Sequence, residues 1–205
     1  MFKQHLLDLV SQGIDDLDQA QALGKVPKNG LSESHFFSVW IGKAINSKRF
    51  DVSMVPLLKS WQQQARTSGA GANLKSHFVS LKSTYSGVAQ DSIFELQTIE
   101  TLCEALSSIE WQVTNDAVLT KKTSIKSNGL SSLVIAPADF AKGFAKNGQL
   151  SVYVRGDLQQ FVDSCYALGL LAFKVTEYKS IVKFHSHFIL DAKNNYPALP
   201  QYCSE

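Results

Sequence analysis

Apolar residues recur at helical spacing through the first half of the chain and give way to alternation in the second. Phe2, Leu6, Leu9, Val10, Ile14 and Leu17 keep a 3.6-residue period while Asp15, Asp16 and Asp18 break the far side, which predicts an amphipathic helix over residues 2–22, ended at Gly24. Ser32 is placed to cap a second helix with an aromatic-rich stripe, Phe36, Phe37, Trp40, Ile41, Ala44 and Ile45. Ser53 offers a cap to a third, with Pro56 in the first turn, where its missing N–H loses no intrahelical bond, and Leu57, Leu58, Trp61 and Ala65 facing inward. The run from Thr67 to Ala72 is a break. Leu74, Phe78, Leu81 and Tyr85 define a fourth helix. Ser92 and Glu95 form an S-x-x-E capping box for a fifth, carried on by Ile93, Leu96, Ile99, Leu102, Cys103, Leu106 and Ile109.

Beyond Trp111 the period shortens toward 2, the mark of strands. Residues 111–114 and 133–136 read as strands joined by a polar segment, 121–132, and residues 137–146 as a short helix closed at Asn147-Gly148. Residues 149–155 read as a strand, Gly156-Asp157 as a turn and N-cap, and 158–168 as a helix ended by Gly169. Two strands, 170–178 and 181–190, then pair as an antiparallel hairpin across Lys179-Ser180. The predicted fold is α+β: a helical N-terminal lobe, residues 1–110, packed against a small C-terminal lobe, residues 111–190, with an antiparallel sheet and a βαββ element. Residues 191–205, with Pro197 and Pro200, are expected as a surface tail, and the topology of residues 110–148 is left open.

Composition bounds the picture without changing it. At 44% hydrophobic and 19% charged residues, the chain of 205 residues carries enough apolar surface to offset chain entropy. The net charge of +2 is too small to advertise a polyanionic partner. It is unevenly spread, with 10 Lys+Arg against 11 Asp+Glu in residues 1–110 and 10 against 7 in residues 111–205. Cys103, Cys165 and Cys203 are odd in number and lack C-x-x-C spacing, which fits reduced thiols, no disulfide and no cysteine zinc site. Asp8 stands where a leader would need an apolar run, and no stretch approaches the roughly 18 apolar residues of a membrane span. A cytoplasmic protein without a membrane segment is expected.

Candidate chemistry gathers in the closing strands. Alternation turns Val152, Val154, Phe173, Val175, Val182, Phe184 and Phe188 toward the helix and leaves Tyr153, Arg155, Lys174, Thr176, Tyr178, Lys183, His185 and His187 on the opposite face. Cations that neutralise phosphates beside rings that stack on unpaired bases are what a sheet surface needs to hold single-stranded nucleic acid. The plainer reading is an ordinary solvent-facing sheet surface, rich in strand formers and edge lysines. His185-x-His187 could supply two metal ligands, with Asp191, Glu177 or His77 as a third, yet no other metal-ligand spacing accompanies it and no metal is expected. Cys165 sits mid-helix among Phe161, Val162, Tyr166 and Leu168, where a thiol is inert packing. Phosphate-binding glycine loops and the G-x-S-x-G elbow are missing, so no cofactor is implied.

Two segments carry a family likeness: residues 34–41 through Arg49-Phe50 to Leu58-Lys59-Ser60-Trp61, and the run from Phe173 to His185. Together they resemble an uncharacterised gamma-proteobacterial family of about this length, a domain of unknown function. The resemblance implies a bacterial protein and brings no catalytic or binding residues with it. The functional expectation therefore rests on the residues: a binding or regulatory protein, with nucleic acid or a protein as partner at the C-terminal sheet face. The alternative is an enzyme with an inter-lobe pocket using His185, His187 and Tyr178. The missing catalytic signatures lean against it.

Overall fold

The computed structural model describes residues 2–88, 94–119, 121–139, 148–177 and 180–203. It divides into two compact units, Met1–Ser86 and Gly87–Glu205.

In the first unit, helices α1 (Phe2–Ala22), α2 (Gly30–Asn46), α3 (Val55–Ser68) and α4 (Leu74–Ser86) bury the stripes read from the sequence. Phe78 is the hub, with its ring centroid 4.9 Å from both Phe37 and Trp61. A Cβ at Gly13 would lie 2.8 Å from the Phe78 ring and 3.3 Å from Trp40, so glycine there lets α1 close on these aromatics. α2 starts earlier than Ser32 implies. Asn29 is the N-cap, its side chain accepting the Ser32 N–H at 2.9 Å. A 3-10 turn, Val52–Met54, leads into α3, and its cap is Asp51 rather than Ser53.

The second unit opens with α5 (Leu96–Ser108), followed by β1 (Gln112–Thr114), β2 (Ser132–Ile135), β3 (Gln149–Arg155), α6 (Leu158–Ala167), β4 (Ala172–Thr176) and β5 (Ser186–Asp191). The sheet order is β1-β2-β3-β5-β4; β1 and β2 are parallel and the other pairs antiparallel. α6 crosses from β3 to β4, and β5 then inserts between them antiparallel to both, which is the expected βαββ element. The boundary expected after residue 110 moves to 86/87. Ile99, Leu102 and Leu106 of α5 share a core with Leu133, Val152, Phe161 and Phe188, so α5 belongs with the sheet. The expected capping box does not start it: α5 begins at Leu96, with Glu95 as an N-cap that makes no side-chain cap bond; Ser92, and most of the helix expected over 137–146, lie outside the described residues.

Three strand expectations are corrected. The last two strands do pair antiparallel, but residues 177–185 connect them instead of a two-residue turn. Within β4 the faces are reversed. Ala172 and Lys174 stand opposite Leu190 and Phe188 on the helix-covered side, and Phe173 points the other way against Ile189. Phe173 stays fully buried there because Tyr196 of the tail packs on it, centroid to centroid 5.5 Å. A bulge between Lys174 and Thr176 shifts the register again. Finally, the chain is not yet a strand at Phe184, which has φ +63° and is 73% exposed.

The tail is held down along its length. The Asn194 side chain accepts the Leu171 N–H and donates to the Gly169 carbonyl, both at 2.8 Å, and Gln201 N–H donates to the Ala172 carbonyl. Among the described residues no helix is long and apolar enough to cross a membrane, and all three cysteines are unpaired.

Candidate functional site

On the sheet face away from α5 and α6, the registers of β2, β3 and β5 bring Ser132, Val134, Ser151, Tyr153, Arg155 and His187 to one side, as alternation along β3 requires. Tyr153 and His187 are partners across β3 and β5 with rings stacked at 5.0 Å and 22°. This face is not an open platform. Val182, Ala117, Leu119 and Ile125 pack over Val134 and Tyr153, leaving Tyr153 7% exposed. The covering segments are tied together by an isolated bridge in which Thr123 N–H donates to Ile181 O and Lys183 N–H to Thr123 O, at 2.9 and 2.8 Å.

The predicted residues therefore separate. His185 is fully buried: its Nδ1 lies 2.8 Å from the Lys183 carbonyl and its Nε2 2.9 Å from Ser132 Oγ. A carbonyl only accepts, so Nδ1 carries the proton and Nε2 accepts from the Ser132 hydroxyl. Burial pushes this imidazole below its usual pKa, the Lys183 carbonyl opposes, and Arg155 adds to the lowering. Lys174 lies on the helix-covered side and pairs with Glu177 at 2.9 Å. Tyr178 lies outside the described residues. Arg155 and Lys183 are exposed.

What the fold builds from the exposed members is a rim. The Arg155 guanidinium stands 5.9 Å from the centroid of the Phe184 ring. Lys183 precedes Phe184, and the parallel bridge of Thr123 to Val182 sets Lys122 and Lys121 beside residues 181 and 180, on the side of the bridge away from Phe184; all three lysines are exposed. Sequence reasoning had put Phe184 inside and read residues 121–132 as a connector. The adjacent lysine pair was the visible signal, but its place depends on a single long-range bridge.

Beside the rim, Ser151, Tyr153, Asp139, Ala117, Leu119 and Ile181 contribute to a cavity of about 510 Å³. His187 Nε2 lies 3.1 Å from Ser151 Oγ. Burial lowers the His187 pKa, with Asp139 opposing, and burial together with Asp139 raises that of Tyr153. Among the described residues no group of three or more His, Cys, Asp or Glu side chains could hold a metal ion. His77 packs edge-on against Trp61 in the helical unit. Burial pushes the Cys165 thiol far up and that of Cys103 to about 11, so neither is a thiolate near neutrality.

Among known proteins, the family model described as a protein of unknown function (DUF2913) matches residues 1–203. No curated protein and no solved structure matches the chain.

Proposed function

We propose that this chain, which belongs to the DUF2913 family, is a binding protein that holds single-stranded nucleic acid along the rim of its C-terminal sheet. The reading is carried by Phe184. A phenylalanine left 73% exposed forgoes most of the roughly 2 to 3 kcal/mol that burial would bring. Its left-handed backbone, φ +63°, costs about 1 to 2 kcal/mol more. The contact with Arg155 offsets only part of this cost. A base stacked on the ring would offset more, since base–aromatic stacking contributes about 1 to 3 kcal/mol. Arg155, 5.9 Å from the ring, and Lys183, next to it in the chain, offer cations to a phosphate backbone passing that base, and Lys121 and Lys122 add charge further along the covering segment.

Fluorescence anisotropy with labelled oligo-dT and oligo-rU tests it. Saturable binding is expected, weakened about 5- to 100-fold by Phe184→Ala. Arg155→Ala with Lys183→Ala should weaken binding and flatten its salt dependence. Absence of saturable binding by the unaltered chain at low salt removes the reading.

A second reading, an enzyme, is favoured by one contact, Ser151 Oγ to His187 Nε2 at 3.1 Å beside the cavity. A hydroxyl held by a neutral imidazole is the beginning of a nucleophile–base pair. A serine-directed fluorophosphonate that labels the chain but not its Ser151→Ala variant would support it; an unlabelled chain would dismiss it.

A further inference from the structure

α2 carries apolar residues beyond the stripe it buries. Phe37, Ile41 and Ala44 are in the core of the helical unit, yet Leu31 and Val39 are 66% and 44% exposed. Leu31, His35, Val39 and Lys43 succeed one another at four-residue steps, and Ser32, Phe36 and Trp40 form the neighbouring row, so the two rows share one helix face. A helix that is apolar on a second face has a second surface to cover. Lys25, Val26 and Pro27, from the turn between α1 and α2, complete a groove of about 700 Å³ along these rows. That size lies within the roughly 300 to 1,000 Å³ of small-ligand sites.

The charge of this groove has one sign. Lys25 and Lys43 line it together with His35, and no aspartate or glutamate does. Two acids that adjoin groove residues, Asp16 at Trp40 and Glu33 next to Ser32, have partners of their own. Asp16 accepts from Trp40 Nε1 at 2.7 Å and pairs with Arg49 at 3.0 Å, while Glu33 pairs with Lys75 at 3.3 Å. Neither Lys25 nor Lys43 is ion-paired among the described residues. An apolar trough with uncompensated cations selects a ligand that is apolar along its length and anionic at its end.

We propose that the groove binds an amphiphilic carboxylate of the medium-chain fatty-acid type, its chain on Leu31, Phe36, Val39 and Trp40 and its carboxylate at Lys25 or Lys43. Leu31 and Lys43 are separated by twelve positions, about 18 Å of helix, which accommodates an extended ten-carbon acid. The site is independent of the sheet rim and stands or falls separately from it.

The test is a titration of the full chain with decanoate below its micelle threshold, followed in ¹H–¹⁵N spectra that include the tryptophan indoles. Saturable shifts confined to residues 25–43 and the Trp40 indole are expected. Decylammonium of equal length should bind at least tenfold more weakly. Lys25→Glu with Lys43→Glu should reverse that preference, and Val39→Glu, at a half-exposed position, should abolish binding with the helical circular dichroism unchanged. Equal binding of the two amphiphiles, shifts mapping elsewhere, or an acidic amphipathic peptide occupying the groove where decanoate does not would each overturn the proposal.

Discussion

Ser132 and His185 meet in the interior with each polar atom answered: the hydroxyl donates to Nε2, and Nδ1–H donates to the Lys183 carbonyl. This arrangement favours a neutral ring, because a second ring proton, even with the hydroxyl turned to accept it, would leave a buried charge near Arg155. The folded pKa therefore lies below the unfolded value of 6.5, and His77 and His187 are lowered by burial in the same direction. With the folded pKa depressed, the unfolded chain binds more protons once the pH drops below about 6.5, so stability present at neutral pH is lost as the solution is acidified. Each histidine contributes a slope of at most about 1.4 kcal/mol per pH unit in that window. Urea midpoints measured from pH 7.5 to 5 should fall, and His185→Gln should show a shallower fall than the parent chain. Parallel pH profiles for the two would mean that His185 takes up its proton in the folded chain as readily as in the unfolded one.

The turn from β3 into α6 shows how much of an element's start a few residues can determine. Asp157 accepts the Gln160 N–H at 2.9 Å, the N-cap expected from the sequence, and Asp157→Ala should cost about 1 kcal/mol in urea denaturation. Gly156 has φ +101°, and a Cβ there would lie 2.7 Å from Ser131 Cα on the neighbouring chain segment. Gly156→Ala should therefore cost more than the cap, about 2 kcal/mol or above, in the same measurement. Both residues were legible as a turn because the requirement is local. β4 was not, because alternation reports a face only where one side of the sheet is wet. Helix-side burial of Ala172 and tail-side burial of Phe173 under Tyr196 make adjacent residues both core, and a two-residue period cannot separate them. Phe184 was misread for a related reason: an apolar residue in a turn carries the same letter as one in a strand, and its exposure follows from a backbone conformation that its own side chain does not favour.

At the scale of the molecule, each unit keeps its own buried core, and the helical stripes of α1 to α5 were readable because burial imposes the 3.6-residue period wherever the partner lies. Which core α5 joins was not readable, since Ile99, Leu102 and Leu106 would serve either one equally well. Charge behaves in the same way. The net value of +2 describes neither the cationic groove on α2 nor the rim at Phe184, because both arise from side chains that folding collects and the sum conceals. Binding through the rim should accordingly follow local charge. Release of counterions from a single strand lowers the logarithm of the binding constant by about 0.7 per neutralised phosphate for each tenfold rise in salt. Four rim cations, Arg155, Lys121, Lys122 and Lys183, thus limit the slope to about −3 if each meets one phosphate. Anisotropy titrations between low and physiological salt should return a slope no steeper than that. Arg155→Ala with Lys183→Ala should reduce it by about half, whereas Phe184→Ala should lower affinity at every salt concentration and leave the slope in place, because stacking releases no counterions. A slope that follows Phe184 instead of the cations would mean that the ring positions the charges and contacts no base.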